Sequence, residues 1–173
     1  MTKVRALLLL GANLGDRARA LRRAVAALRA TDGVRVRASS RVYETAPVGP
    51  SDRPYLNQVL RVETTRTPMG LLVVAKCLEA AAGRRPGRRW GARALDVDLL
   101  DCGGARARTP WLTLPHPRIA ERAFVLAPLR DVAPSWRPDG RRTVAALLAA
   151  ANPGPDVVRA VTRARLAKAR REI

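Results

Sequence analysis

The chain has 173 residues, of which 33 are Lys or Arg and 14 are Asp or Glu, giving a formal net charge of +19. That length suits one domain, and a composition that is 47% hydrophobic and 27% charged is globular, not disordered. No apolar run approaches the roughly 18 residues of a membrane span, and two cysteines without a CxxC argue against a disulfide framework and against a zinc site.

Lys3 and Arg5 precede ALLLLGA, which imitates a weak signal peptide, but no small-residue cleavage pattern follows. The segment reads as a buried strand of a cytoplasmic protein. Asp16, after the turn GANLGD, caps a helix to about Arg29, with Leu21, Val25 and Leu28 at helical spacing. Residues 34–43 alternate and read as one half-buried strand. Residues 46–54, with three Pro and a Gly, form a loop, and 55–64 form the next strand. Thr67 and Pro68 start a helix that runs to Gly83. An Arg-rich loop leads to the strand ALDVDLLDC. Residues 118–130 read as a short helix followed by an extended piece, and 142–151 and 155–171 as two more helices.

The order β-α-β-β-α-β predicts an α+β, ferredoxin-like core: a mostly antiparallel sheet covered by helices, with extra C-terminal helices. The expectation is a single domain over residues 1–173, with a core at about 3–140 and a helical extension at about 141–173. Such a fold implies no function by itself.

The basic residues are nearly all Arg; only Lys3, Lys76 and Lys168 are lysines. The Arg fork matches phosphate oxygens, so a phosphate-bearing partner leads, against a general taste for Arg on a solvated surface. Asp96 and Asp98, at i and i+2 of a strand, point to one face while Leu95, Val97 and Leu99 point into the core. Two like charges so placed suit a hard cation such as Mg²⁺, or a polar face paired with nearby Arg. Arg84, Arg85, Arg88, Arg89 and Arg93 fall within ten residues just before that strand, beside Trp90. They read as a polyanion site or as a solvated basic loop. His116 is the single histidine, between two prolines, and is either structural or, with Arg122, a phosphate contact. No P-loop, GxGxxG, HExxH or Ser/His/Asp set is present. The backbone of the loop Thr45-Ala46-Pro47-Val48-Gly49 and the Asn57 side chain can pair with the edge of a flat heterocycle, and Tyr55 and Phe124 can sandwich it. Core packing is the competing reading for each.

Four blocks in order, GANLGD, SSRVYETAPVG with YLNQV, RRWGARALDVDLL and LPHPRIAERAFVLAPLRDVAP, cover about residues 4–135. In them the chain resembles the 6-hydroxymethyl-7,8-dihydropterin pyrophosphokinase family of the folate pathway. The resemblance implies Mg-dependent transfer of pyrophosphate from ATP to the pterin hydroxymethyl group, with AMP released. It implies Asp96 and Asp98 as ligands of two Mg²⁺ and as catalytic residues together with Arg84 and Arg93. Thr45, Val48, Tyr55, Asn57, Trp90 and Phe124 are implied at the pterin. Glu79, Arg84, Arg88, Arg93, Leu99, Thr113, His116 and Arg122 are implied at ATP. The usual RWGPR reads RWGAR here, with Ala92, and Trp111 stands where some relatives carry an Arg near the adenine.

A monomer binding ATP and the pterin, with no membrane and no specific nucleic acid, is therefore expected. The alternative is a basic RNA-binding ferredoxin-like module, since Arg159 to Arg171 carries six basic residues and no acid. That alternative lacks aromatics on adjacent strands. A third reading is a degenerate partner-binding subunit, against which the intact DxD, Asn57, Trp90 and Phe124 argue.

Overall fold

The structure is a computed structural model and describes residues 2–46, 53–83, 93–151 and 159–162. Strand β1 (Val4–Ala12) lies at the centre of the main sheet. It pairs antiparallel with β4 (Tyr55–Thr64) on one side and with β5 (Asp96–Cys102) on the other. Strands β2 (Val34–Ser39) and β3 (Tyr43–Thr45) both pair antiparallel with β4. The connections are helices α1 (Arg17–Arg29) and α2 (Pro68–Ala81). This is the expected ferredoxin-like arrangement.

β1 is buried on both sides, which is why it reads as an unbroken apolar run and not as an alternation. Ala6, Leu8 and Leu10 meet Leu21 and Leu28 of α1 and Leu71 and Ala75 of α2 in one core. Leu7 and Leu9 face the other way, towards α3 (Ala123–Val132) and α4 (Val144–Ala150), which supply Val125, Leu126, Leu129, Val144 and Leu147 to a second core. Each fully buried Leu contributes roughly 1.5–3 kcal/mol. The sheet is thus sandwiched, and both faces bury apolar cores. An RNA-reading sheet needs one open face. Cys77 is exposed and Cys102 buried, and both are free thiols. No helix among the described residues is long and apolar enough to cross a membrane.

Three expectations need correction. The single strand at 34–43 is two strands. Ser40 breaks the run: its Oγ accepts the Val59 N–H at 2.9 Å and its hydroxyl donates to the Arg41 carbonyl. A side chain thereby takes over a ladder bond where β2 ends, past the register shift between Val36 and Ala38. The segment 118–130 has its elements in the opposite order, turns first and then α3, with Pro128 inside the helix. Burial of Val125, Leu126, Leu129 and Val132 overrides the cost of that proline. The helix expected at 155–171 is overturned where the structure describes it. Arg159–Ala160 form β8, paired antiparallel with Tyr43 and Glu44, and the Val161 N–H donates to the Val42 carbonyl at 2.8 Å. A β-branched residue here packs on the first core, and the open edge of β3 gains backbone partners that no helix could supply. The remainder of 152–173 lies outside the described residues.

Two braces position the ends of the sheet. Asp131 near the end of α3 accepts hydrogen bonds from the Arg41 backbone and guanidinium and from the Tyr43 hydroxyl, which docks the helix on β3. Asn13, 1% exposed, joins the β1–α1 turn to the start of β5. Its N–H donates to the Arg93 carbonyl at 3.1 Å, and its Oδ1 accepts the Arg93 N–H at 2.6 Å. Asn13→Ala removes the second bond and leaves a backbone donor without its partner, which costs about 1–2 kcal/mol. Urea unfolding of the variant should show a lower midpoint with an unchanged slope, and an unchanged midpoint would rule the brace out.

Candidate active site

The C-terminal end of β1 and the N-terminal ends of β4 and β5 lie together, beyond the edge of the second core. A cavity of about 250 Å³ opens there, lined by Leu9, Gly11, Thr45, Tyr55, Asn57, Arg93, Asp96, Asp98, Arg122 and Phe124. The pairing register explains the gathering. Gly11 faces Asn57 across one ladder and Asp96 across the other, and Leu9 faces Asp98. Thr45 pairs with Tyr55. Alternation puts Val97 and Leu99 in the helix-covered first core, so Asp96 and Asp98 take the cavity side.

Gly11 is the point of closest approach. A Cβ built there would stand 3.2 Å from Asn57 Oδ1. The missing side chain opens a passage between the carboxylates of β5 and the amide of β4. A glycine ending a run of leucines is the sequence sign of such an approach. Asn57, 4% exposed, donates from Nδ2 to Thr45 Oγ1 at 2.9 Å, so two buried polar side chains satisfy each other at one wall.

The acidic wall has strong electrostatics. Arg93 Nη1 donates to Asp96 Oδ1 at 2.7 Å, an i,i+3 ion pair with both side chains about three-quarters buried. Burial and then the adjacent Asp96 charge push the Asp98 carboxyl up to about 6, with Lys76 and Arg122 working in the opposite direction. Burial also lowers the Arg122 guanidinium, helped by Arg118, while Asp98 opposes the shift. Arg122 is the N-cap residue of α3, and its guanidinium lies 5.5 Å from the centre of the Phe124 ring. Burial raises the Tyr55 hydroxyl, with Arg93 opposing. Among the described residues no group of three or more His, Cys, Asp or Glu side chains forms a metal cage. Two hard carboxylates on one face remain, and they fit a cation whose other ligands are phosphate and water oxygens.

Eight of the residues singled out from sequence thus meet in one cavity: Thr45, Tyr55, Asn57, Arg93, Asp96, Asp98, Arg122 and Phe124. Four described residues stand apart from its lining. Leu99 belongs to the first core. Glu79, 1% exposed on α2, accepts the Val97 N–H at 2.9 Å and two bonds from the Lys76 ammonium, which ties α2 to β5. Thr113 sits in β7 (Thr113–Leu114), paired with β6 (Ala107–Arg108). His116 is held beside β5 by its N–H on the Leu100 carbonyl. Its imidazole is lowered by burial, then by Arg122 and Arg118, with Asp96 opposing. Val48, Arg84, Arg88 and Trp90 lie outside the described residues. Sequence reasoning assigned nothing to Gly11 or Asn13. Both sit in the GANLGD block, whose glycine and asparagine were legible as turn residues but not as partners of a strand 80 residues away.

The family model of 7,8-dihydro-6-hydroxymethylpterin-pyrophosphokinase (HPPK) matches residues 7–134. A 2-amino-4-hydroxy-6-hydroxymethyldihydropteridine pyrophosphokinase of Methylorubrum extorquens is 48% identical over 131 residues, 75% of this chain and 83% of the relative. The enzyme of that name from Bacillus subtilis is 42% identical over 124 residues, 71% of this chain and 74% of its own. Among solved structures, an HPPK-DHPS in complex with substrates superposes with a TM-score of 0.69 over 87% of this chain at 12% identity. The HPPK-DHPS of Plasmodium falciparum with pteroate gives 0.67 over 86% at 15% identity. The chain spans less than half the length of those two, 43% in each case, and at such identities they speak for the fold alone. With the family's pattern running through three-quarters of the sequence and two enzymes more than 40% identical along it, the chain belongs to the 7,8-dihydro-6-hydroxymethylpterin-pyrophosphokinase family.

Proposed function

We propose that the cavity at the ends of β1, β4 and β5 is where this chain transfers a pyrophosphoryl group from ATP to the hydroxymethyl oxygen of 6-hydroxymethyl-7,8-dihydropterin, releasing AMP, in folate biosynthesis. The observation that carries the reading is the meeting, in one cavity, of a flat-ring half and a charged half. Tyr55, Phe124, Asn57 and Thr45 make the first; Asp96, Asp98, Arg93 and Arg122 make the second.

The ring half recognises a heterocycle by two means. Tyr55 and Phe124 offer aromatic faces. The Asn57 amide, buried and oriented by Thr45, offers donor and acceptor capacity to the pterin edge, where a mismatched ring would leave buried polar groups unpaired. Val48 and Trp90 complete this half in the proposal.

The charged half handles the triphosphate. Asp96 and Asp98 would hold two Mg²⁺ ions, which supply charge neutralisation and a template for the attacking and leaving oxygens. Asp98 fits that role because it is a partly desolvated carboxylate beside a like charge, and a cation relieves both costs. Arg93 keeps the Asp96 carboxylate oriented. Arg122, His116 and the loop residues Arg84 and Arg88 offset charge on the phosphates as the bond between the α and β groups breaks. His116 Nδ1 accepts the Arg118 N–H at 3.4 Å, which leaves Nε2 to carry the proton of the neutral ring. Glu79, Leu99 and Thr113 are assigned to the adenosine end of ATP. The proposal takes the protein as a cytoplasmic monomer.

The direct test is product identity. Incubated with Mg²⁺ and ATP, the protein should form AMP only when 6-hydroxymethyl-7,8-dihydropterin is present, as resolved by ion-exchange chromatography. ADP as the product, or AMP formed equally without the pterin, contradicts the reading.

Asp98 gives a second test with opposite signs for stability and activity. Its folded pKa, about 6, lies above the ordinary 3.8. The folded state therefore binds that proton more tightly than the unfolded chain. Stability is retained below pH 3.8, falls as pH rises from 3.8 to 6, and stays lowered above 6. Asp98→Asn removes the penalty. In metal-free buffer at pH 7.5 its Tm should rise by about 2–4 °C, the shift that roughly 1 kcal/mol produces in a chain of this length. Pyrophosphoryl transfer should fall by about 100-fold or more. A lower Tm with activity retained would place Asp98 in the framework and not in the reaction.

A further inference from the structure

Arg17 is the first residue of α1 and was assigned no role by its motif. Its helix is anchored: Asp16 caps it by accepting the Arg19 N–H at 2.8 Å, and Ala18, Leu21, Ala24 and Leu28 are buried against the sheet. The Arg17 side chain leaves this anchor and reaches two segments at once. Nη1 donates to the Pro54 carbonyl at 2.7 Å, and Nη2 donates to Glu44 Oε2 at 3.4 Å, with the Arg17 side chain 29% and the Glu44 side chain 23% exposed.

Those two partners are the chain neighbours of two residues that line the cavity. Glu44 precedes Thr45 at the end of β3, and Pro54 precedes Tyr55 at the start of β4. Thr45 and Tyr55 face each other across the ladder, and Thr45 in turn holds the Asn57 amide. The guanidinium therefore bridges the two strands beside the Thr45–Tyr55 pair, at the end of the described β3–β4 ladder. Its planar fork can engage a carbonyl and a carboxylate together, which an ammonium point charge does less well.

The same short turn reaches the other half of the cavity. Asn13 bonds the Arg93 backbone in both directions, and Arg93 in turn engages Asp96. Residues 13–17 thus touch the start of the carboxylate strand at one end and the Thr45–Tyr55 rim at the other. We infer that Arg17 is a positioning residue for the ring-binding half of the cavity: it holds Thr45 and Tyr55 in register so that the heterocycle binds, without touching either substrate. The inference rests on the proposal that this half of the cavity takes the pterin.

A positioning role predicts a split between kinetic constants, because a misplaced ring-binding wall weakens ring binding while the charged half stays intact. Arg17→Ala should raise KM for 6-hydroxymethyl-7,8-dihydropterin about three- to tenfold, with KM for ATP and kcat within twofold of the parent. Arg17→Lys, which keeps one charged donor, should recover part of the loss. Equilibrium titration of pterin fluorescence on the full chain gives the same ranking without turnover. Asn57→Ala separates this inference from the reading beneath it. Should Asn57→Ala abolish pterin binding while Arg17→Ala leaves it unchanged, the Arg17 inference falls alone. Unchanged pterin binding in Asn57→Ala brings down the cavity assignment itself. If Arg17→Ala raises both KM values and lowers kcat together, or does not fold and Arg17→Lys shows no selective loss for the pterin, the residue is a structural support and the inference is overturned.

Discussion

Asp96 and Asp98 stand two residues apart on one side of β5, close enough that the Asp96 charge disfavours ionisation of Asp98, in a place that water reaches only in part. The rest of the site is arranged around this electrostatic strain. A guanidinium takes one oxygen of Asp96. A second, on the N-cap of α3, sits within the field of Asp98. Leu9 and Gly11 of the adjacent strand present, respectively, an apolar floor and no side chain at all, so nothing on β1 neutralises the pair. A chain selected for stability alone would place a Leu or Thr at position 98. Retaining the carboxylate costs stability and creates a demand for positive charge, which in the proposed function a nucleotide carrying magnesium would meet.

In the proposed function, the sheet topology converts that demand into a two-substrate site. β1 is central, and its last residues contact β4 on one side and β5 on the other. A ligand lying over Gly11 therefore touches a neutral polar wall and an acidic wall at the same time. The β1–α1 turn reinforces the arrangement, with Asn13 bonded towards β5 and Arg17 towards β3 and β4. Binding energy from the ring can then be used to orient the hydroxyl against the phosphates, provided that the two walls keep their spacing. On the opposite face, Glu79 secures Val97 between the two aspartates, so the carboxylate strand is held from behind as well as from its end.

The parts of this structure that follow local rules were readable from the sequence. Period-2 alternation in LDVDLL placed Asp96 and Asp98 on one face, and the strand at 55–64 matched its observed limits. The caps Asp16 and Thr67 work as their residue types dictate. What escaped depends on contacts distant in sequence. Ser40 ends β2 by bonding Val59, 19 residues away, and no local pattern marks that choice. Pro128 is tolerated inside α3 only because the surrounding apolar residues are buried. The stretch around Arg159 looks helical by composition, yet an unfilled strand edge at β3 recruits it as β8. Glu79 resembles any exposed glutamate of a helix until the fold lays α2 over β5. Asn13 and Arg17 were visible as turn and helix-start residues, but their long-range partners were not.

The excess of Arg does not define the site; its distribution relative to the site does. Both faces of the sheet are occupied by cores, so the broad positive charge has no flat strand surface through which to read bases. Exposed arginines at positions 19, 22, 23 and 29 on α1 act on the surroundings through their summed field. Such a field raises the local concentration of polyphosphates without selecting among them, and it weakens as salt shortens the screening length. Selection has to come from the cavity, where the charges are paired, partly desolvated and opposed by carboxylates. In the proposed function, a bare triphosphate would meet like charge there at Asp96 and Asp98, and only one that brings its own cations would meet complementarity. The long-range field and the short-range site thus have opposite preferences for an uncoordinated polyanion, and that opposition separates attracting a nucleotide from accepting it.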